Sequence, residues 1–270
     1  MHQTLKIDDI DVHVEGQGPD TLVMVHGWPD TYRLWDAQVT AFRDSYRCVR
    51  FTLPGFDAGN PRRAYSLTEV EAVYKKVIEQ VSPAAPVVLL VHDWGAVFGY
   101  RFVQSHPGLV SRLIGVDIGD AGSQRHLQAL GLKGKLMMAS YQLWLALAWR
   151  LGPGIGDPMT RALVRRMPCP ADAAEVTSQM NYPYWIQWTG AQGGYPGRKS
   201  FEPPCPMLFV YGERKPMMFH SPAWATELAA KPGCAVLPLP AGHWVMSDAP
   251  EAFNGAVLRW LRGPPGRPAL

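Results

Sequence analysis

Hydrophobic positions recur along this chain with two different periods. Short apolar runs rich in β-branched residues and bounded by turn residues predict strands, whereas apolar residues spaced three and four apart predict amphipathic helices. Strands are predicted at residues 4–15 (a hairpin), 21–25, 46–52, 87–91, 113–118, 207–211 and 235–239. Helices are predicted at residues 31–43, 66–80, 96–105, 223–229 and 252–261. This alternation predicts an α/β fold built on a mostly parallel sheet.

The pattern changes between residues 121 and 200. That segment is rich in Trp, Met, Tyr and Gly, and it shows helical stretches at 136–151, 159–166 and 171–180 but no clear strand. We therefore predict a core domain formed by residues 1–120 and 201–270, with residues 121–200 inserted into it as a helical cap.

Composition narrows the range of partners. The net charge is +3 over 270 residues, and the basic residues are scattered, so a nucleic-acid partner is not expected. The four cysteines show no C-x-x-C spacing, which argues against a disulfide framework or a zinc site. Neither a signal peptide nor an apolar run of the roughly 20 residues that a membrane span needs is found. We expect a cytoplasmic protein with no membrane partner.

The chemistry is concentrated where predicted strands end. The apolar strand at 87–91 runs into His92-Asp93-Trp94-Gly95, and helix-forming residues follow at once. Such a strand–turn–helix holds one side chain, here Asp93, at the top of a sheet where a substrate can reach it. A carboxylate in that place attacks an sp³ carbon and leaves an alkyl ester on the enzyme.

Two more motifs follow strands in the same way, namely His26-Gly27-Trp28-Pro29 and Ala241-Gly242-His243-Trp244. With the Asp93 turn, they resemble the α/β-hydrolase superfamily, and within it the branch with an aspartate nucleophile, which includes epoxide hydrolases, haloalkane dehalogenases and haloacetate dehalogenases. The resemblance covers nearly the whole chain. It implies an α/β-hydrolase fold, with a mostly parallel eight-stranded sheet flanked by helices and an inserted helical cap.

The resemblance also implies site residues. His243 would be the general base that activates water, and the backbone N–H groups of Trp28 and Trp94 would form the oxyanion hole. It implies no cofactor and no metal.

The acid of the triad departs from the commonest pattern. Many relatives carry it after the strand that corresponds to residues 207–211, where this chain has Lys215. Dehalogenases of the superfamily often keep it at the end of the strand after the elbow helix, where this chain has Asp117. We therefore expect Asp117 to orient His243, with Asp120 and Glu213 as alternatives.

The cap should supply the partner of the leaving group. In epoxide hydrolases, cap tyrosines protonate the opening oxirane oxygen, and here Tyr184 is the first candidate and Tyr182 the second. In the first cap helix Tyr141 could serve, but Trp144 lies closer to the expected place. An indole N–H is only a donor, so Trp144 could hold a halide but could not protonate an alkoxide.

Haloacetate dehalogenases place arginines just after the nucleophile, and residues 94–97 here contain none, so we expect a small apolar substrate. The first hypothesis is epoxide hydrolysis to a diol, and the alternative is a haloalkane-type dehalogenase. An ester or lactone hydrolase, or a hydrolase scaffold that binds a small ligand without turnover, remains open. Lys215 is the support for the last of these, and an intact hydrogen bond between Asp117 and His243 would count against it. The oligomeric state cannot be read from the sequence.

Overall fold

Eight strands form a single sheet in the computed structural model, which describes residues 2–195 and 200–263. The strands are β1 (His2–Ile7), β2 (Ile10–Glu15), β3 (Asp20–Val25), β4 (Tyr46–Phe51), β5 (Val87–His92), β6 (Val110–Val116), β7 (Met207–Gly212) and β8 (Ala235–Leu239). Their order is β1-β2-β4-β3-β5-β6-β7-β8, and only the pairings that involve β2 are antiparallel. The predicted fold class is confirmed.

Helices cover both faces of this sheet. In chain order they are α1 (Asp36–Phe42), α2 (Leu67–Val81), α3 (Trp94–Ser105), α4 (Gln124–Ala129), α5 (Leu132–Val164), α6 (Tyr182–Thr189), α7 (Pro222–Ala229), α8 (Val245–Asp248) and α9 (Pro250–Arg262). Side chains alternate between the faces of a strand, so Val23 and Val25 of β3 join a core with α2 and α3, whereas Leu22 and Met24 join one with α1 and α9. Because helices cover both faces of the sheet, every residue of the central strand β5 is buried.

The parallel strands all end at one edge of the sheet, and this edge carries the predicted chemistry. β3 leads into Gly27, β5 into Asp93, β6 into Asp117 and β8 into the loop with His243. In open α/β sheets ligands bind at this carboxyl edge.

The described part of residues 121–200 contains helices and no strand. The long helix α5 is interrupted at Gly152, whose φ is 72°, and Pro153 follows. The predicted helix at 171–180 is wrong. Only Ser178–Asn181 forms a short turn of helix, and Asp172 instead accepts a hydrogen bond from the backbone N–H of Ala174.

None of the helices in residues 2–195 and 200–263 combines the length and apolar content needed to cross a bilayer.

Candidate active site

Asp93 lies on a strained turn between β5 and α3. Its φ of 50° and ψ of −123° place a non-glycine residue at positive φ. Two glycines allow this turn to pack against the loop that follows β3. A Cβ on Gly95 would lie 2.2 Å from the carbonyl oxygen of His26, and a Cβ on Gly27 would lie 2.4 Å from Asp93 Cβ. Two loops thus meet in direct backbone contact, which presents the Asp93 side chain at the sheet edge.

The two carboxylate oxygens of Asp93 have different surroundings. Oδ1 accepts the backbone N–H of Trp28 at 2.7 Å, whereas Oδ2 lies 3.6 Å from Nε2 of His243. Burial opposes ionisation, but His243 and the Trp94 backbone N–H outweigh it and hold the pKa of Asp93 below its ordinary value. Asp93 is therefore ionised, with one oxygen held by a backbone donor and the other turned toward the histidine.

His243 is held by Asp117. Nδ1 of the imidazole donates to Oδ2 of Asp117 at 2.5 Å, which leaves Nε2 facing Asp93. Burial alone would lower the pKa of His243, but the hydrogen bond to Asp117 and the charge of Asp93 raise it to about 9. The structure brings the predicted Asp93, His243 and Asp117 together in one cluster.

Lys215 is part of the same cluster, although the sequence marks it only as a departure from the family. Its ammonium contacts Oδ1 of Asp117 and donates to the carbonyl of Gly212 at 2.8 Å, and its side chain is 5% exposed. Oδ1 of Asp117 also accepts the Gly212 N–H at 3.0 Å. Burial raises the pKa of Asp117, but His243 and Lys215 bring it below its ordinary value. Lys215 thus provides a buried counter-charge for Asp117.

The two alternative acids lie elsewhere. Asp120 accepts the backbone N–H and hydroxyl of Ser221 at 2.6 and 2.8 Å and the Ser123 hydroxyl at 2.8 Å. Glu213 is exposed. Asp117 is the acid whose hydrogen bond orients His243.

His26 and His92 have structural roles. The backbone N–H of Leu53 donates to Nε2 of His26, whose Nδ1 bonds the Gly27 carbonyl, and Nε2 of His92 bonds the carbonyl of His243. Burial lowers the pKa of His26 to about 4 and that of His92 to about 3, so both are neutral.

A chain of hydrogen bonds ties the segment 121–200, the predicted cap, to the loop that contains Trp28. The indole N–H of Trp28 donates to Oδ1 of Asn181 at 2.8 Å, and Asn181 Nδ2 donates to Thr160 Oγ1 at 2.7 Å. The Trp28–Pro29 peptide bond is cis. Because Asn181 and Thr160 both belong to the segment 121–200, that segment holds the Trp28 side chain in place.

A cavity of ≈ 310 Å³ opens over Asp93. Its lining includes Trp94, Tyr141, Gln142, Tyr184, Gln187 and Tyr195. The ring of Tyr184 packs edge-on against Trp94 and Trp28, with centroids 5.2 and 5.8 Å apart, and lies 6.1 Å from Tyr141. Gln142 Nε2 donates to the phenol oxygen of Tyr141 at 3.2 Å.

Two predicted cap candidates lie outside this cavity. The Trp144 side chain is 44% exposed and its N–H donates to the Met159 carbonyl at 3.1 Å, so the predicted halide-binding role for Trp144 is not supported. Tyr182 is fully buried against Phe56, Tyr65 and Trp149. Its hydroxyl has no hydrogen-bond partner among the described residues.

Sequence reasoning missed Gln142, Gln187, Tyr195 and Asn181. The local sequence marks only Asn181 and Tyr195 weakly, as polar groups beside aromatic or glycine residues, because the packing of distant segments decides which side chains face the cavity or Trp28. Among residues 2–195 and 200–263, no group of three or more His, Cys, Asp or Glu side chains is placed to hold a metal ion.

The sheet order, the strained Asp93 turn and the ordered Asp117–His243 pair on its carboxyl edge define an α/β hydrolase. The profile described as the alpha/beta hydrolase family matches residues 22–256, so the chain belongs to that family. The predicted membership of the α/β-hydrolase superfamily is confirmed.

Similar proteins include one named "Probable oxidoreductase EphD" from Mycobacterium tuberculosis, 35% identical over 123 residues, and "Epoxide hydrolase 2" from Caenorhabditis elegans, 30% identical over 119 residues. These matches cover 44% and 42% of this chain. The chain spans only 20% and 33% of those two relatives' own lengths.

Solved structures cover more of the chain. An inhibitor-bound epoxide hydrolase from Bacillus megaterium matches 97% of this chain and 100% of its own at a TM-score of 0.70 and 19% identity. A loop variant of a haloalkane dehalogenase from Bradyrhizobium elkanii matches 97% of this chain and 96% of its own at a TM-score of 0.68 and 18% identity. At these identities the likeness shows the fold.

Proposed function

We propose that this chain hydrolyses small apolar epoxides to diols through an ester on Asp93. The observation that carries the proposal is that Tyr141 and Tyr184 line the cavity that contains Asp93, whereas Trp144 lies outside it. A phenol can protonate an alkoxide and an indole cannot. The similarity to curated epoxide hydrolases supports the same choice.

In the first step, Oδ2 of Asp93 attacks a ring carbon of the oxirane. The C–O bond of the ring breaks, and a phenol of Tyr184 or Tyr141 gives its proton to the departing oxygen. The hydrogen bond from Gln142 to the Tyr141 oxygen favours that phenol as the acid, because a donor to the oxygen stabilises the phenolate that forms. The product of this step is a hydroxyalkyl ester of Asp93.

In the second step, His243 takes a proton from water, which attacks Cγ of the ester. The negative charge develops on Oδ1, which already accepts the Trp28 N–H. Esterification removes the negative charge of Asp93, one of the causes that raise the pKa of His243. The imidazole is therefore released to act as a base only after the ester has formed. Collapse of the intermediate breaks the Cγ–Oδ2 bond, and the imidazolium of His243 protonates the departing alkoxide to give the diol. The carboxylic acid left on Asp93 ionises, and its proton returns to the phenolate.

Two alternatives are less well supported. A halide would need N–H donors; the indole N–H of Trp28 donates to Asn181 and that of Trp144 donates to Met159, so neither of these two indoles supplies one. A scaffold without turnover needs no oriented base, yet the hydrogen bond between Asp117 and His243 is intact at 2.5 Å.

The test compares diol formation from an apolar aryl epoxide with halide release from a bromoalkane. We expect turnover of the epoxide, a loss of roughly 10–100-fold in Tyr184→Phe and in Tyr141→Phe, and a loss of ~10²–10⁴-fold in the double variant. Trp144→Phe is the matched control, because Trp144 lies outside the cavity, and it should keep the wild-type rate. If the protein releases halide but forms no diol, and the tyrosine variants release halide as fast as wild type, it is a dehalogenase instead.

A further inference from the structure

The outer face of α5 carries a continuous apolar stripe. Its members recur at spacings that keep one side of a helix together, and they are Leu132, Leu136, Leu143, Trp144, Leu147 and Leu151. Leu132 is 74% exposed and Leu136 is 62% exposed. The opposite side of the helix packs inward through Gln142, Leu145 and Trp149. Contiguous exposed apolar surface of this kind marks an interaction site.

The charge of α5 indicates what the stripe meets. Residues 132–164 carry four basic side chains and one acidic side chain, and Lys133, Lys135 and Arg150 are exposed among the apolar residues. The one acidic residue, Asp157, is engaged within the cap, where it accepts the N–H and hydroxyl of Ser178 at 2.7 Å. A second copy of this chain would bring two sets of these cations together, which is unfavourable. An anionic surface would instead be complementary in charge to these cations.

The helix that carries the stripe also borders the cavity over Asp93. Trp188 lines that cavity and is 44% exposed, and Met138, on the helix that carries the stripe, lines it as well. The helix α5 thus presents the stripe on its outer side and borders the cavity with its inner side. A helix with basic residues and exposed Leu and Trp is the type that lies in the interface of a lipid bilayer.

We propose that the exposed stripe of α5 docks this protein reversibly on an anionic lipid bilayer. Docking brings the protein to the lipid phase in which an apolar substrate collects. The supply of substrate from the lipid rests on the proposed epoxide hydrolysis, whereas the docking does not depend on it. It differs from the expectation of no membrane partner, which rested on the absence of a spanning segment.

The test is co-flotation with vesicles of equimolar phosphatidylcholine and phosphatidylglycerol, beside vesicles of phosphatidylcholine alone. We expect binding to the anionic vesicles that weakens with salt. Lys133→Gln/Lys135→Gln should weaken it by roughly 30-fold, at ~1 kcal/mol for each basic residue. Leu136→Gln/Leu143→Gln/Leu147→Gln should weaken it by about 100-fold or more, because apolar area is no longer removed from water. The charge-matched control is Lys75→Gln/Lys76→Gln on α2, which should bind like wild type.

Circular dichroism and the rate of turnover of a water-soluble epoxide show that each variant is folded. No binding to anionic vesicles, or equal binding by the triple leucine variant, overturns the proposal. A wild-type dimer in sedimentation that the triple variant dissociates also overturns it, in favour of a second copy. Vesicle binding without any epoxide turnover would support the docking surface and refute the proposed function. Epoxide turnover without vesicle binding would support the proposed function and refute the docking surface.

Discussion

Replacing Lys215 by methionine is expected to move the pH dependence of ester hydrolysis to higher pH. The ammonium of Lys215 offsets the negative charge of Asp117, the same carboxylate that accepts the proton-bearing Nδ1 of His243. Without it, Asp117 stabilises the imidazolium more strongly. The pKa of His243 in the ester intermediate rises, and a higher pH is needed to reach the neutral base.

The size of the shift follows from the geometry. Lys215 contacts Oδ1 of Asp117, and Nδ1 of His243 bonds Oδ2 of the same carboxylate. For two cations separated by one carboxylate, at a distance on the order of 6 Å, Coulomb's law with an effective dielectric constant of ~20–40 gives roughly 1.4–2.8 kcal/mol. That free energy corresponds to about 1–2 pKa units. The other titratable groups that face His243, namely Asp93, His92 and Asp30, are the same in both proteins.

The assay is single-turnover diol formation from an excess of enzyme, measured across pH. Lys215→Arg keeps the charge and is the matched control, and its profile should stay within a few tenths of a unit of wild type. Thermal unfolding of each variant separates a loss of folded protein from a change in the base. If the rise of the rate with pH stays in place in Lys215→Met, or moves to lower pH, Lys215 does not lower the pKa of His243.

Three further substitutions test the packing around the site. Asn181→Leu leaves the buried indole N–H of Trp28 without its acceptor and should lower the free energy of unfolding by ~1–3 kcal/mol, measured by denaturant titration; a change of only a few tenths would contradict the role given to this bond. Gly27→Ala would put a Cβ 2.4 Å from Asp93 Cβ and should lower turnover by about 10²-fold or more in a folded protein, since small misplacements are that costly; wild-type turnover would contradict it. Tyr182→Phe removes a buried hydroxyl without a partner among the described residues and should keep activity while leaving stability equal or higher by up to ~1 kcal/mol; a large loss of turnover would instead give Tyr182 a role in the chemistry.

The fold and the three central side chains follow from local sequence. Apolar strands of four to eight residues that alternate with helices predict a mostly parallel sheet, and parallel strands bring their carboxyl ends to one edge. Asp93, Asp117 and His243 each follow such a strand, so topology alone brings them near one another.

The cap was harder to predict because α5 is apolar on both faces. Leu143 and Leu147 point outward, Leu145 and Trp149 point inward, and the spacing is the same on each side. A hydrophobic pattern identifies the buried face only when the other face is polar. The sequence therefore could not show that Trp144 is exposed and that Tyr141 lines the cavity.

Contacts between distant segments were missed for a different reason. The ion pair of Lys215 with Asp117 spans 98 positions and the bond from Trp28 to Asn181 spans 153. Nothing in either local sequence specifies the partner. The failed helix at 171–180 is a local error, in which the Asp172 side chain competes for backbone N–H groups.

The proposed hydrolysis depends on a covalent ester between Asp93 and the substrate. Intact-protein mass of His243→Gln after exposure to an apolar epoxide tests it most directly, because loss of the base strands the ester. We predict a mass gain equal to one whole epoxide, located on the peptide that contains Asp93 and absent from Asp93→Ala/His243→Gln. A protein that converts epoxide to diol in its wild-type form, yet shows no adduct in His243→Gln under the same conditions, would contradict the account.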